Sequence, residues 1–221
     1  QSLGEFASGL VGAHNIANSV AAVAMARREG VAVEVLRDAL RRFRGVKRRQ
    51  ELLGIAAGVR VITDFAHHPT AVKVTIAAVR RHFPNGKLHV CFEPRSASSR
   101  RAVFFDGYVG AFTGASRVYL GPLVNPHKTA EDLRIDPTSV ARAITAQGID
   151  ATAFASVEAL AHALIAQVAP GDTVLLLSCG PFGGLGPRLL TGLGDAFMFA
   201  TAEDMLAIHQ LCAEYGLAPT E

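Results

Sequence analysis

Several short stretches of this sequence carry side chains suited to phosphate, ribose or carboxylate groups. The first is Gly12-Ala13-His14-Asn15-Ile16-Ala17-Asn18. On a helix His14 and Asn18 are four residues apart and Asn15 and Asn18 three, so their polar groups share a face. An amide side chain both donates and accepts, which suits the N6/N7 edge of adenine. Spacing alone favours a plainer use, with His14 and Asn15 capping the helix start. The second stretch, Arg48-Arg49-Gln50-Glu51, offers a guanidinium fork for a phosphate or ribose; read in isolation it is surface charge.

The third stretch is Thr63-Asp64-Phe65-Ala66-His67-His68-Pro69-Thr70. At the end of a strand, Asp64 could accept from both ribose hydroxyls. His67 and His68 come just before a helix start, where backbone N–H groups favour anions. One Asp and two His also invite zinc, but adjacent histidines in a tight turn reach one ion poorly, so no metal site is expected. The fourth, Phe92-Glu93-Pro94-Arg95-Ser96 followed by Arg100, suits a carboxylate- or phosphate-bearing substrate, or else two solvated charges. The fifth is Ser178-Cys179-Gly180-Pro181-Phe182-Gly183-Gly184, whose glycines let backbone approach a ligand. It is not the G-x-G-x-x-G dinucleotide fingerprint. Cys179 has no identifiable base beside it, and a buried, inert thiol is the favoured reading.

The elements that would position these residues follow from periodicity. Apolar residues at Ile16, Val20, Val23 and Ala24 predict a helix over 14–28, and Val35, Leu36, Ala39 and Leu40 predict another over 33–42. Gly45 breaks the pattern and marks a domain boundary. Beyond it, strands are predicted at 52–57, 60–65, 87–92, 117–120, 152–154 and 173–178. Helices are predicted at 69–82, 100–112, 138–147, 157–168 and 185–193, with a further helix over 202–215 in the tail. This alternation reads as an α/β, Rossmann-like, mostly parallel sheet with flanking helices. Ligands of such sheets sit at the carboxyl ends of the strands, which makes 64–69, 93–101, 121–128 and 178–184 the loops to watch, and the last three of the five stretches fall there.

Composition narrows the class. Half of the 221 residues are hydrophobic, 19% are charged and the net charge is +3, which suits a packed domain and excludes a disordered chain. Six cations between Arg41 and Arg49 form the one dense basic stretch, weak grounds for a nucleic-acid partner, and none is expected. With no long apolar run and no leader, a soluble cytoplasmic protein without a membrane partner is expected. Cys91, Cys179 and Cys212 form neither a disulfide framework nor a zinc signature.

The order and spacing of the motifs are more telling than any one of them. Gly12-x-His14-Asn15-x-x-Asn18, then Phe43-x-Gly45-Val46-Lys47-Arg48-Arg49-x-Glu51, then Asp64-Phe65-Ala66-His67-His68-Pro69-Thr70 resembles the Mur ligase family. Within it, Gly45-Val46-Lys47-Arg48-Arg49, Phe65-Ala66 and Glu93-Pro94-Arg95-Ser96 resemble the branch that attaches a cell-wall tripeptide, not alanine, to UDP-N-acetylmuramate. The resemblance implies that residues 1–44 end a central ATPase domain, 45–194 form the carboxy-terminal domain and 195–221 a helical tail. It implies ATP and Mg2+ as cofactors, most magnesium ligands lying outside these residues, and an acyl-phosphate route to an amide. It places His14, Asn15 and Asn18 at the adenine, reversing the capping reading, and Arg49 and Asp64 at ribose and phosphates. His67 would act at the reacting phosphate, and Arg95, Ser96, Arg100, Ser178, Gly180 and Phe182 would hold the incoming amine. The five loops would then converge on one cleft. The amino-terminal domains of the same enzyme would be its partners.

The sequence also departs from that pattern. No Gly-x-x-x-x-Gly-Lys-Ser/Thr phosphate loop occurs here. Ser178-Cys179-Gly180-Pro181 replaces Ser-Asn-Gly-Gly, and Ala97-Ser98-Ser99 replaces Asn-Thr-Met. These changes bear on peptide preference. An alanine-adding ligase and a non-catalytic nucleotide- or peptide-binding module are the alternatives.

Overall fold

A computed structural model describes residues 2–194, apart from Val11 and Arg44. The predicted tail helix and Cys212 lie outside the described residues. Two compact units meet in sequence between Lys47 and Arg48.

The first unit contains α1 (Ala13–Arg28) and α2 (Val33–Arg42). Each ends in a pair of arginines, Arg27 and Arg28 or Arg41 and Arg42, which the carbonyl end of a helix favours. Gly30, at φ 86°, turns the chain between them. Leu36 is the buried residue among the described positions of these helices. Beside it runs an apolar trough of about 390 Å³ lined by Leu10, Ala22, Val23, Leu40 and Phe43.

The second unit is built on a six-stranded sheet: β1 (Glu51–Ala56), β2 (Val59–Asp64), β3 (Leu88–Phe92), β4 (Arg117–Leu120), β5 (Asp150–Ala153) and β6 (Thr173–Leu177). Their spatial order is β1-β2-β6-β3-β4-β5. β1 is antiparallel to β2, and every other pairing is parallel. This is the expected Rossmann-like α/β class. Ala57 and Gly58, with φ of 49° and 73°, make the tight turn of the β1–β2 hairpin.

Helices α3 (Pro69–His82), α4 (Phe105–Val109) and α5 (Pro137–Ala146) accompany one face, and α6 (Val157–Ile165) and α7 (Leu185–Gly192) the other. Every residue of β3 and β6 is buried, as a strand covered on both faces requires. Alternate side chains divide between two cores. Leu175 and Leu177 join Val72, Ile76 and Phe112, while Val174 and Leu176 join Leu160, Leu164 and Leu189.

The single helix expected over 100–112 is broken. Short 3-10 turns at Ala102–Phe104 and Gly110–Phe112 flank the five residues of α4. Gly107 and Gly110 lower the helical preference there. Arg100 O is taken by Ile135 N at 2.8 Å, and Arg101 bridges to Arg134, so the first turn is held elsewhere. The weak strand expected at 152–154 lies earlier, as edge strand β5.

At the amino edge of the sheet the buried His89 joins three elements. Its Nε2 is 3.0 Å from Asp172 Oδ2 and its Nδ1 3.1 Å from the Tyr119 hydroxyl, which also lies 2.8 Å from Gln167 Oε1. Asp172 also accepts the amides of Lys87 and Ala169. Among the described residues no helix is long and apolar enough to cross a membrane.

Candidate functional site

Because β6 lies between β2 and β3, the loops leaving Asp64, Phe92 and Leu177 stand side by side at the carboxyl edge. That edge is where parallel sheets bind ligands. Asp64 is 4% exposed. Its Oδ2 accepts the amide of Gln50 at 2.9 Å and its Oδ1 that of Ala66 at 2.7 Å. The carboxylate therefore ties the 48–50 turn to the 65–67 turn. His67 Nδ1 lies 3.0 Å from Phe65 O, which can only accept, so Nε2 is the nitrogen left for a ligand. The buried Tyr108 hydroxyl donates to His67 O at 2.5 Å and fixes the same turn. Burial, reinforced by the nearby Cys179, pushes the Tyr108 phenol well up, so it stays a proton donor. The rings of His67 and His68 pack on different partners, Phe65 and Phe104, which separates them as ligands for one ion.

Arg48 and Arg49 both lie over the Phe65 ring, at 5.2 and 5.5 Å from its centroid. Arg49 is exposed, whereas Arg48 is half-buried. The Arg48 guanidinium donates to Ser178 O at 2.8 Å and also to Gly180 O. Its own amide donates to Glu51 Oε2 at 2.7 Å, and its carbonyl accepts from Phe65 N at 2.7 Å. Arg48 and Gln50 sit at φ 61° and 50°, and Phe182 at 47°, backbone values that side-chain-bearing residues rarely adopt. Such strain collects where surrounding contacts over-determine a functional loop.

Glu93 organises the third loop. It is 2% exposed, and its Oε2 accepts Arg95 Nε at 3.0 Å and the Ser178 hydroxyl at 2.5 Å. Ser178 Oγ in turn accepts Gly180 N at 2.8 Å. The Arg95 side chain keeps 30% exposure and lies across Gly180, where an added Cβ would come within 2.3 Å of its Cδ and Nε. Arg95 and the backbone of Gly180 thus form an accessible cationic rim.

Four residues expected to touch substrate are engaged within the protein. Arg100 is 8% exposed and donates to Arg95 O and Thr129 Oγ1. Ser178, 3% exposed, is engaged with Glu93. Ser96 Oγ closes the turn to Ser98 and Ser99. Phe182, 3% exposed, is part of the apolar core with Leu160 and Leu185 and anchors its loop from beneath. Cys179 is half-buried, not the fully buried thiol expected. In the first unit, α1 starts at Ala13 with Gly12 as N-cap at φ 98°, so His14 and Asn15 lie inside the first turn and do not occupy the capping position. Both are half-buried and Asn18 is exposed.

The Mur ligase, glutamate ligase domain profile matches residues 48–180, which span all four of these carboxyl-edge segments. The chain belongs to the Mur ligase family. Curated relatives include the UDP-N-acetylmuramate–L-alanine ligase of Desulfitobacterium hafniense, 32% identical over 188 residues, covering 85% of this chain and 42% of that protein. The UDP-N-acetylmuramate–L-alanyl-γ-D-glutamyl-meso-2,6-diaminoheptandioate ligase of Escherichia coli is 36% identical over 195 residues, covering 87% and 40%. A crystal structure of a murein peptide ligase from Psychrobacter arcticus matches with TM-score 0.68 and 28% identity, over 89% of this chain and 40% of that one. The chain thus spans about two fifths of the length of the relatives it matches.

Within this Mur ligase domain, reading the sequence missed the parts played by Arg48, Glu93 and Tyr108. Glu93 had a usable signal: a lone carboxylate directly after an unbroken apolar strand must find a cationic or hydroxyl partner. Tyr108 had none, since its hydroxyl meets the His67 carbonyl only through tertiary packing.

Proposed function

We propose that this chain is the amine-binding, carboxy-terminal portion of a murein peptide ligase, an ATP-dependent enzyme that joins a cell-wall tripeptide to UDP-N-acetylmuramate. The observation that carries this reading is the junction of the 48–50, 65–67, 93–95 and 178–180 segments through Asp64, Arg48 and Glu93. It brings a phosphate-competent group, the exposed Arg49, and a carboxylate-competent one, Arg95, onto segments tied to one another. Identity to the E. coli peptide-adding ligase supports the tripeptide as acceptor. On this reading residues 1–44 close the central ATPase domain, 45–194 are the third domain, and the enzyme works in the cytoplasm.

The residues fit part of the nucleotide. Arg49, braced on Phe65, is suited to a phosphate oxygen, and His67 presents Nε2 beside the same turn. His14, Asn15 and Asn18 of α1 are proposed to read the adenine edge. The loop that would cradle the terminal phosphates and help bind Mg2+ is not among these 221 residues. ATP, when bound, supplies the phosphoryl group that activates the muramyl carboxylate. The chain's own work is to hold the peptide carboxylate on Arg95, aim the amine, and place positive charge where anionic charge grows.

The decisive experiment offers the complete ligase the tripeptide or L-alanine and measures ATP-dependent phosphate release. Release with tripeptide supports the proposal. Release with alanine alone would reassign the chain to the alanine-adding branch. No release with any amine would leave a binding module.

A further inference from the structure

Arg48 stands where three loops meet, yet neither substrate has been assigned to it. It is the first residue of the second unit, and its guanidinium reaches 130 positions along the chain to Ser178 O at 2.8 Å, and also to Gly180 O. The same residue fixes the 65–67 turn through its carbonyl and the start of β1 through Glu51. From the other side Glu93 grips the Ser178 hydroxyl, and that hydroxyl holds Gly180 N. The Ser178–Gly180 turn is therefore clamped between a cation taking its carbonyls and a carboxylate taking its hydroxyl. Arg95, bound to that carboxylate and lying across Gly180, inherits its position from both.

We infer that Arg48 is a positioning residue for the amine substrate: it sets the Ser178–Gly180 turn, and through it Arg95, while its neighbour Arg49 serves the nucleotide. This rests on the proposed ligase activity for its kinetic consequence but not for the clamp itself. Adjacent arginines so divided would make the start of the domain report to both substrates. One terminal nitrogen of the planar guanidinium, its two N–H bonds fixed in direction, holds both carbonyls, and a freely rotating lysine ammonium holds them less rigidly. The cost of losing Arg48 should thus fall on one substrate and be partly recovered by lysine.

The test compares Arg48→Met, Arg48→Lys and Arg49→Met in the complete ligase. Arg48→Met is expected to raise KM for the amine about tenfold with KM for ATP nearly unchanged, Arg48→Lys to recover part of the loss, and Arg49→Met to do the reverse. Equal changes in both KM values, or an amine KM that stays put, would overturn the inference. Amide exchange of Gly180, followed by mass spectrometry in the same proteins, reads the clamp without turnover. It should quicken in Arg48→Met and not in Arg49→Met. If the wild-type enzyme ligates nothing, the functional reading fails, and the exchange result alone decides whether Arg48 holds the turn; unchanged exchange at Gly180 would overturn it.

Discussion

At the level of single residues, a carboxylate next to an arginine can either quench it or aim it. Glu93 binds Arg95 through Nε, leaving the terminal nitrogens of the fork for a ligand, so here it aims. Gly180 completes the arrangement by having no side chain beneath Arg95. In Gly180→Ala the new Cβ would meet Arg95 at 2.3 Å, and the flexible arginine must swing away while the backbone stays. The amine KM is expected to rise about fivefold with the melting temperature little changed, since only a flexible side chain has to move. Steady-state kinetics and a thermal melt check both parts; a fall in stability without a kinetic effect would contradict the geometry. That Arg95 and Gly180 share an open loop was legible in the sequence, because both follow apolar strands in loops rich in turn residues. Ser178, Arg100 and Phe182 sit in the same motifs but turn inward, and a linear sequence does not say which way a loop residue faces.

At the level of elements, strands β3, β4 and β6 are pinned to one another by His89, Tyr119 and Asp172. Burial, the largest influence on His89, holds its pKa below the usual 6.5 even though the Asp172 carboxylate pulls the other way. The unfolded chain therefore takes up this proton first as pH falls. Stability contributed by neutral His89 is intact above pH 6.5 and is lost as pH drops from there toward the lower folded pKa. For Asp172, burial alone would raise the pKa, but the Lys87 and Ala169 amides and His89 outweigh it and hold it below 3.8, a separate and more acidic window. Urea titrations between about pH 7 and 5 should show a shallower loss of stability in His89→Gln than in wild type. Identical slopes would remove His89 as the titrating group. The strands themselves were legible, because TVLLL and LHVCF are apolar throughout and bounded by turn residues. The break in 100–112 was not, because the competing partners of Arg100 and Arg101 come from residues about 33 to 35 positions away.

At the level of the whole molecule, the chain covers about two fifths of its relatives' length and carries no phosphate loop. The 221 residues by themselves are therefore expected to release no phosphate from ATP in an amine-dependent way. Malachite-green detection with and without tripeptide checks this, and turnover above background would contradict it. The two halves also differ in how well they shield themselves. The 48–194 sheet buries two continuous cores, whereas α1 leaves Ile16, Val20 and Met25 each more than 60% exposed beside its trough. For bench work this is an oily flank. A shortened version starting at Arg48 sheds it and should stay monodisperse in light scattering at concentrations where the longer one clumps.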